Sequence, residues 1–308
     1  MIENSNADAG YYNFLLSNWY SGATVLSILL NNHKAITCNG ETFPFPDQNP
    51  DELRCSCGET LTDCEFYKYS ANHFRLNKSY NQNYFGCIPV ISEHKIFQHV
   101  FESFTRLTKI RDAIFVMTPG SQDKINTFIN WHEKFFNQAC KFDNSKVYLD
   151  GTKSIRRVEL FAKYRDKPIR IIHCIRDGRK FIPTYIKVAN LTEEDIPKAA
   201  QQWIDYIKMV KELKKRYPKI QIKTIRHEDL CHDKEAAVKE ICNFLGVEYD
   251  QNIFDFNNAN YHILGNNMRY KFDGAIFEND KWKNYYSKET FDKTTELLKP
   301  YLKEYGYL

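Results

Sequence analysis

The spacing of apolar and polar residues changes repeatedly along this chain, and each change marks an element. Tyr11 to Leu16 is apolar and runs into Ser17 and Asn18, which reads as a buried strand entering a turn. Thr24 to Asn31 is apolar on every side and fits a buried helix, stopped by Asn31, Asn32 and His33. "AITCNGETF" reads as a short extended piece leading into a loop. Residues 44–95 keep no period and are too long for a plain connection, so they read as an irregular, lid-like insertion. A helix is expected from Glu93 to Lys109, then a strand over Ala113 to Thr118, broken by Pro119 and Gly120. The following "DKINTFINWHEKFFNQACKF" fits a helix whose stripe of Phe128, Trp131, Phe135 and Phe136 packs in a core. After it come a strand at Lys146 to Ser154, the helix "IRRVELFAKY", the strand "PIRIIHCI" and a helix over Pro197 to Arg216. "IQIKTIR" alternates as a strand, and "DKEAAVKEICNFL" is a helix stopped by Gly246. "ILGNNMRYKFDG" reads as a polar loop, and a last helix spans Ser287 to Leu298. Strands alternating with helices predict one α/β domain over residues 1–308, with a mostly parallel central sheet and helices on both faces.

Composition narrows the setting. A formal net charge of +4 on 308 residues is too small to argue for nucleic acid. No apolar run is long enough to cross a bilayer, so no membrane partner is expected. The opening "MIENSNADAG" lacks the basic-then-apolar order of a secretion leader. Nine cysteines, an odd number, fit free thiols in a reducing cytoplasm, and Cys174 and Cys242 fall within apolar patterns. Cys55, Cys57 and Cys64 cluster in "CSCGETLTDC". Packed or free thiols are the expectation there. A metal completed by Cys38 or His73, or a disulfide, stand as alternatives. Composition leaves monomer and homodimer equally open.

Two strand-to-turn-to-helix segments carry the candidate chemistry. Such a turn aims backbone N–H groups and the positive helix end at an anion. In "YSGAT" (Tyr20 to Thr24), Gly22 permits close backbone approach, while Ser21 and Thr24 bring hydroxyls beside the amides of Ala23, Thr24 and Val25. The segment lacks the GxxxxGK[ST] spacing of a nucleoside triphosphate loop. In "IRDGRK", Arg176 and Arg179 follow an apolar strand, with Thr184 beyond; a guanidinium there can grip a phosphate bidentately, or pair with Asp177. Arg269 and Lys271 in "GNNMRYK" add a third basic patch. Two anion sites in one domain suit a nucleotide phosphorylated at both ends.

The order of these motifs resembles that of the sulfotransferases that use 3′-phosphoadenosine 5′-phosphosulfate (PAPS). "YSGAT" stands where the family has its 5′-phosphosulfate loop, Gly40-Glu41 matches its "GE", and "DGTKS" (Asp150 to Ser154) its "DKTP"-like strand end. "IRDGRKFIPT" matches the 3′-phosphate loop, with Arg176 and Thr184 at the binding positions. Trp203, "HEDL" (His227 to Leu230), "FLG" (Phe244 to Gly246), "GNNMR" (Gly265 to Arg269) and Trp282 follow in the family's order. The "CxCG…C" cluster is similar to one in bacterial and carbohydrate-type members. The resemblance implies a P-loop-NTPase-like three-layer fold, with PAPS as co-substrate and adenosine 3′,5′-bisphosphate (PAP) as product. It implies nucleotide contacts from Tyr20, Ser21, Gly22, Ala23, Thr24, Val25, Arg176, Thr184, Trp203, Arg269 and Lys271. One position departs: Tyr20 stands where the family has Arg or Lys, so a hydroxyl replaces a charge. Lys153 or Arg156 would then have to reach in, or Tyr20 suffice.

Sulfuryl transfer needs in-line positioning, positive groups on the developing charge, and a base, but no metal. Glu41 is the favoured base and His33 the second candidate; Lys153 would touch the sulfonate or acceptor, and Asp150 would orient it or hold a cationic acceptor. Phe43, Phe45, Tyr80, Tyr84 and Phe85 give the expected acceptor pocket an aromatic character. That suits a small polar or cationic metabolite, as in natural-product or cyanobacterial (saxitoxin-type) toxin biosynthesis. The alternatives are a carbohydrate acceptor, or an impaired or noncatalytic binder of the bisphosphate. A kinase is disfavoured, because "YSGAT" has no lysine.

Overall fold

Among the described residues, the centre of the fold is a five-stranded sheet in which every pairing is parallel. The computed structural model describes residues 10–42, 53–72, 108–256, 261–278 and 280–308. The expectations for Phe43, Phe45, His73, Tyr80, Tyr84, Phe85 and most of the Glu93–Lys109 helix lie outside the described residues.

The strands are Tyr12–Ser17 (β1), Ile36–Thr37 (β2), Val147–Asp150 (β3), Ile169–Ile175 (β4) and Ile220–Arg226 (β5), in the order β2-β3-β1-β4-β5. Helices Ala23–Asn31 (α1), Glu65–Ser70 (α2), Thr108–Met117 (α3), Ser121–Asp143 (α4) and Ile155–Tyr164 (α5) come from the first part of the chain. Gly178–Val188 (α6), Ile196–Arg216 (α7), His227–His232 (α8), Lys234–Leu245 (α9) and Lys288–Glu304 (α10) follow. Alternation along β1 sorts the two faces. Phe14 and Leu16 join Phe128, Phe135 and Phe161 in one layer, while Leu15 joins Leu26, Leu29, Val238 and Ile241 in the other. Both faces of the sheet are therefore covered, which is what a wholly parallel sheet requires.

Three expectations are corrected. Ala113 to Thr118 lies not in a strand but in α3 and the turn after it. A short apolar run cannot separate the two by period, and here burial is one-sided: Phe115 is 4% exposed while Val116 and Met117 are 80% and 82% exposed. Arg111 decides the matter, since its buried guanidinium donates to Glu159 at 3.0 Å and pins α3 onto α5. The last helix does not stop at Leu298 but continues through Pro300 to Glu304. The "ILGNNMRYKFDG" loop is also more ordered than its polarity suggests. Leu264 bridges to Gly40, and Asn267–Tyr270 forms a 3₁₀ turn with Arg269 buried. No helix among the described residues is long and apolar enough to cross a membrane.

At the carboxyl end of β3 an ion pair lies wholly out of water. Arg157 Nη1 donates to Asp150 Oδ2 at 2.7 Å, with both side chains 0% exposed. The same nitrogen donates to Thr152 Oγ1 and Thr42 Oγ1, and Asp150 Oδ1 accepts from the Thr152 amide. A hydrogen-bonded ion pair of this kind tolerates burial; half of it does not. Asp150→Ala should destabilise the fold by about 3–5 kcal/mol, read as a lowered urea midpoint in equilibrium unfolding. An unchanged midpoint would contradict this account of the turn.

Candidate active site

The two predicted turns lie side by side because β1 and β4 are neighbours, with Ser17 in register with Cys174. The helices that follow them diverge. α1 packs in the layer with α9, whereas α6 packs on α7 through Phe181, Ile182, Trp203 and Ile204. The divergence falls at the carboxyl edge of the sheet, where ligands of such folds bind.

In the first turn, the α1 helix begins with Leu26 N–H donating to Gly22 O. The amides of Ala23, Thr24 and Val25 precede that bond. α1 has no side-chain cap and no acidic residue in its first turn, so its positive end is uncompensated. Gly22 has φ of +84°, and a Cβ there would come within 2.3 Å of His227 Nδ1. Ser21 is buried and Thr24 half-buried. The second turn differs from expectation. Asp177 caps α6 by accepting from the Arg179 amide and pairs with the Arg179 guanidinium at 2.6 Å. That helix end and Arg179 are thus already occupied. Arg176 instead donates Nη1 to Tyr20 O at 3.1 Å, linking the turns, and its buried Nε has no hydrogen-bond partner. Lys180 is held by Glu278 and Glu228.

Tyr20, Glu41 and Lys153 converge from three segments. Lys153 Nζ donates to Glu41 Oε1 at 2.5 Å, both side chains being largely buried. Burial first, and then the negative charge of Glu41, push the Tyr20 phenol above its usual range. Glu41 is placed by backbone contact: Leu264 O accepts its amide, and a Cβ on Gly40 would come within 2.4 Å of Leu264 O. Backbone conformation singles out the same place. Among the described residues, Tyr20, Asn144, Lys153 and Asn190 are the non-glycine residues with positive φ. Asparagine tolerates that region readily, whereas tyrosine and lysine adopt it at a cost of about 1–3 kcal/mol each. Both costly residues face one carboxylate.

Other predicted residues lie elsewhere. His33 is not available as a base: Nδ1 accepts from the Ala35 amide, so Nε2 carries the proton and donates to Glu248 O at 2.9 Å. Asp150 is committed to Arg157 and cannot orient Lys153 or hold an acceptor. Arg156 does not reach the loop, being buried against Glu159. Trp203 is 0% exposed in the core, and its indole N–H donates to Arg176 O, so it braces the second turn instead of facing a ligand. Thr184 sits half-buried on α6 with its hydroxyl on Lys180 O. Arg269 spends its guanidinium on the carbonyls of Gly265 and Arg54, and Lys271 is exposed on the same turn.

Two residues of the site escaped sequence reasoning. Trp19 is 58% exposed beside Tyr185, at 6.2 Å between ring centroids; its place within the first turn was the available signal. His227 packs under Gly22 with Nδ1 buried and unpartnered, a contact across most of the chain that no local pattern announces. Burial, and then the neighbouring Arg176 charge, pull its pKa down to about 4.

The sequence model of the Sulfotransferase family matches residues 14–251. The sulfotransferase domain from the curacin biosynthetic pathway is similar at a TM-score of 0.47 and 15% identity, over 94% of this chain and 98% of that one. The sulfotransferase domain of the Synechococcus PCC 7002 olefin synthase gives 0.48 and 13%, over 94% and 95%. Mouse sulfotransferase SULT7A1, solved with PAP, gives 0.41 and 14%, over 96% and 88%. No curated protein matches the sequence.

Neutral His227 has a consequence for stability, shared by His173, which burial also lowers to about 4. Their unfolded value is about 6.5. Between these values the unfolded chain takes up protons that the folded chain refuses. Stability from both histidines is therefore full above about pH 6.5 and falls toward pH 4, by up to about 1.4 kcal/mol per pH unit for each. Urea unfolding across that window should show a shallower slope in His227→Asn than in the parent; equal slopes would sink the assignment.

Proposed function

The chain belongs to the Sulfotransferase family, and on that premise we propose that it transfers a sulfuryl group from PAPS to a small polar acceptor, releasing PAP. The acceptor atom is a hydroxyl oxygen or an amine or carbamoyl nitrogen. The observation that carries this reading is the meeting of Lys153, Glu41 and Tyr20 beside an uncapped helix N-terminus.

The residues present fit the nucleotide. The amides of Ala23, Thr24 and Val25 suit the 5′-phosphosulfate, and Gly22, having no Cβ, lets His227 pack against the turn that carries them. The unpartnered Nε of Arg176 suits the 3′-phosphate, with Thr184 further along α6. Trp19 and Tyr185 offer an aromatic platform at the rim. Arg269 and Lys271 then act at one remove, by shaping the wall that carries Gly265.

In the transfer, a bond forms between sulfur and the acceptor atom as the bridging S–O bond breaks. The electron pair of that bond stays on the departing phosphate. Glu41 takes the acceptor proton. The Lys153 ammonium meets the negative charge that builds on the bridge and sulfonate, supplying the charge that Tyr20 lacks. This arrangement favours an enzyme over a noncatalytic binder. With Asp150 committed to Arg157, Glu41 also serves as the negative group for a cationic acceptor.

Arg176→Ala should weaken PAP binding about 10- to 100-fold, measured by calorimetry; unchanged affinity would remove this phosphate site. Glu41→Gln should lower kcat by about 10²- to 10⁴-fold while PAP affinity survives. Full turnover of PAPS with an acceptor by that variant would exclude Glu41 as the base.

A further inference from the structure

We propose that Cys55, Cys57, Cys64 and His262 form a structural zinc site that fixes the wall behind Glu41. The four donor atoms lie within 4.8 Å of one another. Cys57 Sγ is 3.7 Å from Cys64 Sγ, and His262 Nδ1 is 3.2 Å from Cys64 Sγ and 3.6 Å from Cys55 Sγ. Tetrahedral zinc with Zn–S of about 2.3 Å and Zn–N of about 2.0–2.1 Å requires edges of roughly 3.8 Å between sulfurs and 3.6 Å from sulfur to nitrogen. The Cys57–Cys64 and Cys55–His262 edges stand at that spacing, and the Cys64–His262 edge is about 0.4 Å shorter. Cys57 and Cys64 are free thiols here, their sulfurs 3.7 Å apart against about 2.05 Å in a disulfide.

The surroundings are those of a closed site. Cys55 and Cys64 are 0% and 1% exposed, His262 is 8% exposed, and only Cys57 reaches the surface. The imidazole stacks on Phe66 at 13° and meets Phe142 edge-on, which fixes the ring with Nδ1 toward the sulfurs. A tight turn presents the first two cysteines: the Cys55 amide donates to Glu59 O, the Gly58 amide to Cys55 O, and Arg54 bridges to Thr60. Three cysteines with one histidine leave no open position, as in structural rather than catalytic zinc sites. The sequence had pointed to Cys38 or His73 as fourth ligand. Cys38 is not part of the cluster, and His73 lies outside the described residues.

The site has mechanical reach. Ser56 N–H donates to Ile263 O and the Ile263 amide to Ser56 Oγ, so the cysteine turn holds the 261–264 segment. Two residues past His262, the Leu264 carbonyl accepts the Glu41 amide. A metal here ties segment 53–72 to the backbone that seats Glu41, a positioning role independent of the transfer chemistry.

The test is metal content of the full chain, expressed with supplementary zinc and purified under reducing conditions without chelator. About one zinc per chain is expected, released into a chromogenic chelator as a mercurial titrates the thiols. Cobalt exchange should give the visible bands of tetrahedral thiolate coordination. His262→Ala and Cys64→Ser should lose the metal, while Cys242→Ala keeps it. Metal-free parent protein that is fully folded, or an intact mass showing a Cys57–Cys64 disulfide, would overturn the site. Because the parent protein is assayed by stoichiometry and spectrum, misfolding of a variant cannot mask the answer. These readouts are separate from PAPS turnover.

Discussion

The contact between Asp150 and Arg157 holds the remainder of the site in place. Both charges are out of water, and each is stable there only because the other, with Thr42 and Thr152, satisfies it. The pair fixes the turn after β3. It therefore holds Lys153 in a backbone conformation that a lysine would not choose. From that position the ammonium meets Glu41, which arrives on a different segment and is seated by Leu264. A pair wholly out of water thus sets the geometry of groups that reach the surface.

The division of labour between the two turns also follows from local chemistry. The helix after β1 starts at a glycine that offers no side-chain cap, so its amides remain available. The helix after β4 starts at Asp177, which fills its own helix end and draws in Arg179. Backbone dipoles are left uncompensated at one turn, and a single guanidinium, that of Arg176, stands at the other. Trp203, deep in the core, steadies that second turn by donating to the Arg176 carbonyl.

The fold was largely legible because β1, β4 and β5 are near-continuous apolar or alternating runs, and the helices between them carry clear caps and stops. Ala113 to Thr118 misled because a short apolar run has no decisive period, and the buried Arg111–Glu159 contact that makes it a helix spans 48 positions. The places of the first turn, Arg176 and Lys153 at strand ends were readable from the sequence, whereas Glu41 was picked out only through the family's "GE" segment. His33 and Arg156 were not separable from site residues, since only three-dimensional partners, Glu248 O and Glu159, reveal that they are occupied. His227 under Gly22 and His262 beside the cysteines were invisible for the same reason: each meets its partner about 200 positions away in the chain.

The open amides at the start of α1 link folding to occupancy. An anion seated there would satisfy backbone groups that no side chain among the described residues caps, and it would engage only the folded chain. Each tenfold excess of nucleotide over its dissociation constant then adds about 1.4 kcal/mol to the resistance against unfolding. A protein loaded in this way would be at its sturdiest with the site filled and would loosen at this corner each time the nucleotide departed.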